Sequence, residues 1–305
     1  MKIAILLATY NSSRFLEEQL RSIWRQSYKN WSLYVIDDGS SDNTLEILES
    51  YQKKWGKGKL TISSQTNRGC TYSFLSLVCD ITIEADYYAY CDHDDVWEKE
   101  KLERAVTILS GMKPNIPLLY CSSTKLVNEH NTIIGHSTIF KRPPSFQNAL
   151  VQNIASGNTM VFNKKARNLI AEIGVVDVYI HDWWTYLLVT ACGGHIFYDP
   201  LSFIRYRQHG RNLIGHANPS TDSMQKKMDQ QKKYFSNIRQ FWTALHKAPY
   251  INSKAKKTLK AIENAFSCKF LYRAFWLFRA QVYLLTWSDT LGLYRYVLLR
   301  KKDKS

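Results

Sequence analysis

The sequence predicts an α/β fold: a mostly parallel sheet flanked by helices, followed by a basic, aromatic-rich helical region. Short β-rich runs alternate with amphipathic helical stretches over the first hundred residues, each run ends in polar or acidic residues, and the positive charge is concentrated after Asp222. Alternation of strand and helix requires crossover connections, which make successive strands parallel and cover the sheet with helices on both faces.

The first four strands are "KIAILLAT" (2–9), "WSLYVIDD" (31–38), "KLTISS" (59–64) and "DYYAYCD" (86–92). Between them, residues 13–26 place Phe15, Leu16, Leu20, Ile23 and Trp24 on one helical face, 43–54 place Leu45, Ile47, Leu48 and Tyr51, and 71–83 repeat the pattern. Next come a helix over 99–110, a strand "IPLLYCSS" (116–123), a Pro-rich turn "KRPPSF" (141–146), a strand "SGNTMVFN" (156–163) and a helix Lys164–Ile173. "HDWWTYLLVTAC" (181–192) reads as helix, "HIFYD" (195–199) and "SFIRYRQH" (202–209) as two strands, and everything from about 222 as helix. Two regions are expected, 1–215 and 216–305, since 305 residues exceed the usual single-domain size.

The net charge of +15 is uneven: 18 Lys+Arg against 5 Asp+Glu from Asp222 onward, 23 against 21 before it. A polyanionic partner therefore belongs to the tail. Six scattered cysteines without a CxxC exclude a zinc ribbon or a disulfide framework and fit a reduced, cytosolic chain. "MKIAILLATYN" is too short an apolar run for a signal peptide, and no run of about 18 apolar residues exists to span a bilayer. A G-x-G-x-x-G after the first strand and a P-loop are both missing.

Ligands of an open parallel sheet sit beyond the carboxyl ends of its strands. In "YCDHDDVW" (90–97), Asp92 and Asp94 lie at i and i+2 past such an end and can aim hard oxygen ligands at one Mg²⁺ or Mn²⁺. Asp95, three before Glu98, fits a cap on the next helix, and His93 a hydrogen-bonding neighbour. In "IDDGSSDNT" (36–44), Asp42 is expected as a helix cap and Gly39 as a turn residue, leaving Asp37 or Asp38 to accept from a nucleobase or ribose. Asp182 in "HDWW" reads equally as a helix-opening residue and as a general base in a pocket walled by Trp183 and Trp184. In "RYRQHGRN" (205–212), Arg205 and Arg207 face the same way, and the segment can present cations to a diphosphate and His209 to the metal on Asp94.

"ATYNSSRFLEEQLRSI", "IDDGSSDNT", "NRG" (67–69), "DHDD", "HDWW" and "YRQHGRN", in this order and spacing, resemble the family 2 glycosyltransferases of the GT-A fold, with the nearest likeness to bacterial polysaccharide rhamnosyltransferases. The resemblance covers roughly residues 1–215 and implies an inverting transfer of a sugar, rhamnose from dTDP-rhamnose as the best guess, from a nucleoside diphosphate donor. It assigns Thr9, Tyr10, Asn11, Asp38, Asn67, Gly69 and Asp92 to the nucleotide, Asp94 and His209 to the metal, Arg207 or Arg211 to the diphosphate, and Asp182 to catalysis as the base. His93 departs from the Gln common in related motifs, which bears on donor preference or pH dependence.

Past residue 216 only physical reading remains. Tyr234, Phe235, Ile238, Phe241, Trp242 and Leu245 form an amphipathic helix, and "CKFLYRAFWLFRAQVYLLTW" (268–287) interleaves aromatics with arginines. Packing on the core and attachment to an anionic membrane surface are both expected of this tail. A polyprenyl-linked saccharide acceptor and a cytoplasmic location, peripheral on the inner face of the cell membrane, fit that expectation. A nucleic-acid partner is not expected, because the basic excess lies away from the acidic pocket. A metal-dependent phosphotransferase or phosphohydrolase is the alternative function.

Overall fold

The computed structural model describes residues 1–210 and 224–299. Its elements are β1 (Ile3–Thr9), α1 (Leu16–Trp24), β2 (Trp31–Asp37), α2 (Thr44–Trp55), β3 (Leu60–Ser64), α3 (Cys70–Cys79), β4 (Tyr87–Cys91), β5 (Val96–Trp97), α4 (Lys101–Ser110), β6 (Leu118–Val127), β7 (Ile133–His136), α5 (Phe146–Ala149), β8 (Val161–Asn163), α6 (Lys164–Ile173), α7 (His181–Ala191) and β9 (His195–Arg207). Four helices follow: α8 (Met224–Leu245), α9 (Ser253–Ser267), α10 (Phe270–Ala280) and α11 (Trp287–Leu299).

The strands form one sheet in the order β3-β2-β1-β4-β8-β6-β9-β5, with β7 against β6. β1 is buried along its whole length because alternate residues feed two cores. Ile3, Ile5 and Leu7 join one with α1, α2 and α4, while Ala4, Leu6 and Ala8 join the other with α3, α6 and α7. The parallel expectation holds for β3-β2-β1-β4 and for β6 with β9; β4–β8, β6–β8, β6–β7 and β5–β9 are antiparallel. Strand order reverses direction around β1, which opens a crevice beyond the ends of β1, β2 and β4.

Two local expectations are corrected, and one strand was not foreseen. The first half of "SGNTMVFN" is a 3-10 turn, Gly157–Thr159, not strand. Residues 195–207 are one strand, with Pro200 and Leu201 bulging out where the register against Ser122 and Ser123 shifts; proline has no donor for the ladder and is tolerated at such an irregularity. The two-residue β5 lay below any periodic signal, yet its pairing Val96↔Arg205 and Trp97↔Ile204 brings "DHDD" to the end of β9.

The tail packs on the same core as the sheet. Trp183 meets Phe241 at 4.9 Å between ring centroids, and Trp242 Nε1 donates to Leu150 O at 3.1 Å. Among the described residues no helix is long and apolar enough to cross a membrane.

Candidate active site

The loops after β1 and β2 hold one another. Thr9 Oγ1 donates to Asp37 Oδ1 at 2.9 Å, and Asp37 also accepts from the amide and hydroxyl of Ser40 at 2.9 and 2.5 Å. Asn11, at φ 46°, donates its amide to Ser40 Oγ at 2.9 Å and accepts from Ser41 N at 2.8 Å. Asp38 accepts from Gln65 Nε2 at 2.7 Å, Arg68 N at 2.9 Å and Gly69 N at 2.7 Å. A carboxylate has about four lone-pair sites, so Asp38 orders the 65–69 turn and retains room for roughly one further donor. Gly39 is required there: at φ +83° a Cβ would meet Asn67 N at 3.2 Å. Tyr10 and Asn67 stand exposed at the rim. Asp42, expected as a cap, accepts from Thr44 N at 3.0 Å and also ties down Ser13 N at 3.1 Å.

The acidic cluster follows β4, the strand that pairs with β1 on the side away from β2. Burial and then the negative charges of Asp94 and Asp182 raise the carboxyl of Asp92 well above the usual range. The thiol of Cys70, which opens α3, is likewise pushed up by burial and by Asp92, Asp182, Asp94 and Asp38, so these four carboxylates all lie near that one thiol. Carboxylates so close retain a proton or take a cation. His209 Nε2 lies 2.8 Å from Asp94 Oδ2, which places a carboxylate and an imidazole together, a donor set that fits a hard divalent ion. Among the described residues no three His, Cys, Asp or Glu side chains form a closed metal cage. His93 is partly buried, and that burial lowers its pKa.

Two readings of this region are corrected. Asp95 does not cap α4; it is buried, accepts from Asn158 Nδ2 at 2.6 Å and Arg207 N at 3.1 Å, and so joins β9 to the 3-10 turn. Arg207, expected toward a diphosphate, is 1% exposed. Its guanidinium donates to Asp94 O at 2.9 Å, Glu129 O at 2.6 Å and Glu18 Oε2 at 2.5 Å, and lies over Phe15 at 4.6 Å. It fixes the backbone of the acidic turn to α1, and its side chain is buried because Phe15, Glu18 and the 128–129 backbone cover that face of β9. Arg207→Ala is expected to destabilise the fold by about 3 kcal/mol in chemical denaturation, and Lys, lacking the planar fork, is expected to restore little. Arg211 lies outside the described residues.

Asp182 lies in the first turn of α7. Its Oδ2 accepts from Gly157 N at 2.8 Å and its Oδ1 from Trp183 N at 2.5 Å, yet burial outweighs these bonds and raises its pKa to about 6. Trp183 and Trp184 do not wall the pocket. Both are buried in the core, Trp183 Nε1 donating to Ala149 O at 2.7 Å, and they anchor the helix that carries Asp182. His181 is buried and stacked on Phe74 at 4.0 Å, and burial lowers its pKa to about 3, so it is neutral. Gly157 was not singled out by its sequence context: a Cβ there would lie 3.1 Å from both Asp182 Cβ and His181 Nε2. Gly157→Ala is expected to displace Asp182, lowering stability by about 1–3 kcal/mol and turnover along with it, which melting and initial rates would reveal.

Residues 4–169 match the sequence pattern of glycosyl transferase family 2. The chain belongs to that family. As a family 2 glycosyltransferase it acts with nucleotide-sugar donors. The family match contains the two loops and "DHDD", whereas Asp182, Arg207 and His209 lie beyond it. Among similar proteins, the dTDP-rhamnosyl transferase RfbG of Shigella flexneri is 27% identical over 264 residues, 82% of this chain and 88% of that protein. WfgD of Escherichia coli, a UDP-Glc:alpha-D-GlcNAc-diphosphoundecaprenol beta-1,3-glucosyltransferase, is 27% identical over 197 residues, 61% of this chain and 69% of that protein. The fold matches S. aureus TarS 1–349 solved with UDP-GlcNAc at a TM-score of 0.61 and 18% identity, covering 98% of this chain and 82% of that one. It matches the Pyrobaculum calidifontis mannosyltransferase PcManGT, solved with GDP-Man and Mn2+, at 0.52 and 18%, covering 100% and 88%. The GT-A expectation is thereby met.

Proposed function

We propose that this glycosyltransferase works by inversion with a divalent metal, moving rhamnose from dTDP-rhamnose to a hydroxyl of a polyprenyl-linked saccharide at the inner, anionic face of the cell membrane. The observation that carries the mechanism is Asp182: a buried carboxylate with a pKa of about 6, held by two backbone amides and close enough to Asp92 to raise its pKa. The acceptor oxygen attacks the anomeric carbon, the bond from that carbon to the diphosphate breaks, and Asp182 takes the acceptor's proton. Thr9, Tyr10, Asn11, Asp38, Asn67, Gly69 and Asp92 form the nucleotide wall. Asp94 and His209 would hold Mg²⁺ or Mn²⁺, which when bound neutralises charge on the departing diphosphate as a Lewis acid. Arg207 serves by fixing Asp94, not by touching phosphate.

The donor and acceptor readings draw support from the names of RfbG and WfgD, and the metal from the Mn2+ in PcManGT. Family membership favours transfer over the phosphotransferase or phosphohydrolase alternative. A panel of nucleotide sugars, read by diphosphate release with and without Mn²⁺ and by the anomeric configuration of the product, tests all of this. Release that is fastest from dTDP-rhamnose, metal-dependent and inverting is the expected result; retention of configuration or indifference to metal overturns the mechanism.

A further inference from the structure

Helix α10 is turned inside out. Its one inward charge, Arg273, is 5% exposed. The guanidinium donates to Cys268 O at 3.0 Å and to Val297 O and Leu298 O at 3.1 Å, carbonyls in the last turn of α11, where a cation is favoured by the helix dipole. Meanwhile Leu271, Phe275 and Phe278, spaced i, i+4, i+7, stand 82%, 53% and 75% exposed on the opposite face, beside exposed Tyr272. Rolling the helix to bury this stripe would break the Arg273 bonds and bury nothing charged in exchange, so the outward stripe is fixed by the fold. Trp287 and Leu291, one turn apart on α11, are exposed as well. An exposed apolar stripe along one helix face marks an interaction site.

The surroundings are cationic. Lys269, just before α10, and Arg279 on it are exposed, as are Arg295 on α11 and Lys254, Lys256, Lys257 and Lys260 on α9, which packs against α10. The acids nearby are few: Glu263 hydrogen-bonds His246 at 2.7 Å and Asp289 accepts from Thr286 at 2.6 Å, and the lysines and arginines outnumber them. A second copy of this chain would oppose one basic face to another, which electrostatics penalises. With 11 residues α10 extends about 16 Å, too short to span a bilayer but suited to lie along its surface.

We infer that the outward face of α10, centred on Leu271, Phe275 and Phe278, inserts into the interface of an anionic lipid bilayer, with the flanking Lys and Arg on the headgroups. This names the surface by which the lipid-linked acceptor proposed above would be approached, and rests on that reading for its purpose only.

Flotation of the full chain with phosphatidylglycerol/phosphatidylethanolamine vesicles and with phosphatidylcholine vesicles tests it. Wild type is expected to bind the anionic vesicles preferentially and to be released by salt. The combined Leu271→Ser, Phe275→Ser and Phe278→Ser variant, all at exposed positions, is expected to bind roughly a hundredfold more weakly. Lys269→Glu with Arg279→Glu is expected to lose the anionic preference. Equal binding to both vesicle types, an unchanged triple variant, or a dimer in lipid-free solution that the triple variant dissolves would each overturn the inference. Slow hydrolysis of the nucleotide sugar without lipid should be equal in wild type and triple variant. If no donor is turned over yet flotation still needs the stripe, the transfer reading fails while this one stands.

Discussion

Asp182→Asn is expected to bind the nucleotide sugar as wild type does and to turn it over roughly 10²–10⁴-fold more slowly, the usual worth of a general base. Isothermal titration with the donor and steady-state rates separate the two effects; near-wild-type turnover would remove Asp182 from the mechanism. The same residue predicts a pH profile. Its pKa is raised to about 6 mainly by burial, and only the anion can take a proton. As pH falls through about 6, the protonated fraction grows and kcat/KM should fall in proportion. A carboxylate in the ordinary range would place that acid limb about two pH units lower.

Asp94→Asn is expected to lose divalent-dependent stabilisation by a nucleoside diphosphate in thermal shift and to lower kcat/KM by about three orders of magnitude, since charge on the leaving diphosphate would go uncompensated. Without metal the variant should melt no lower than wild type, because it removes one of several mutually repelling carboxylates while Asn keeps an acceptor for His209. A variant that melts lower without metal yet keeps metal-dependent binding would make Asp94 a structural residue.

The candidate site was legible where chemistry sits at strand ends. Asp38, Asp92 and Asp94 follow short β-rich runs, and the parallel crossover rule brings those ends together whatever the details of packing. Arg207 was misread because alternation along a strand tells which residues share a face but not whether that face is covered. Here Phe15, Glu18 and the 128–129 backbone cover it. Gly157 and Asp95 were missed or misassigned for a related reason: each acts through a partner more than 20 residues away, Asp182 for one and Asn158 and Arg207 for the other. Trp183 and Trp184, placed beside Asp182 by sequence, turn away from it into the core.

By itself the sequence determined the α/β class, the pair of acidic turns at the sheet edge that carries the candidate site, and the basic tail, since each follows from local periodicity and charge. Only the tertiary structure decided which carboxylates lie near one another, that Arg207 serves the backbone of Asp94, and that α10 faces its aromatics outward. Burial and pairing across distant segments set those outcomes, and a linear pattern carries the strength of a side chain's preference but not the identity of the neighbour that satisfies it.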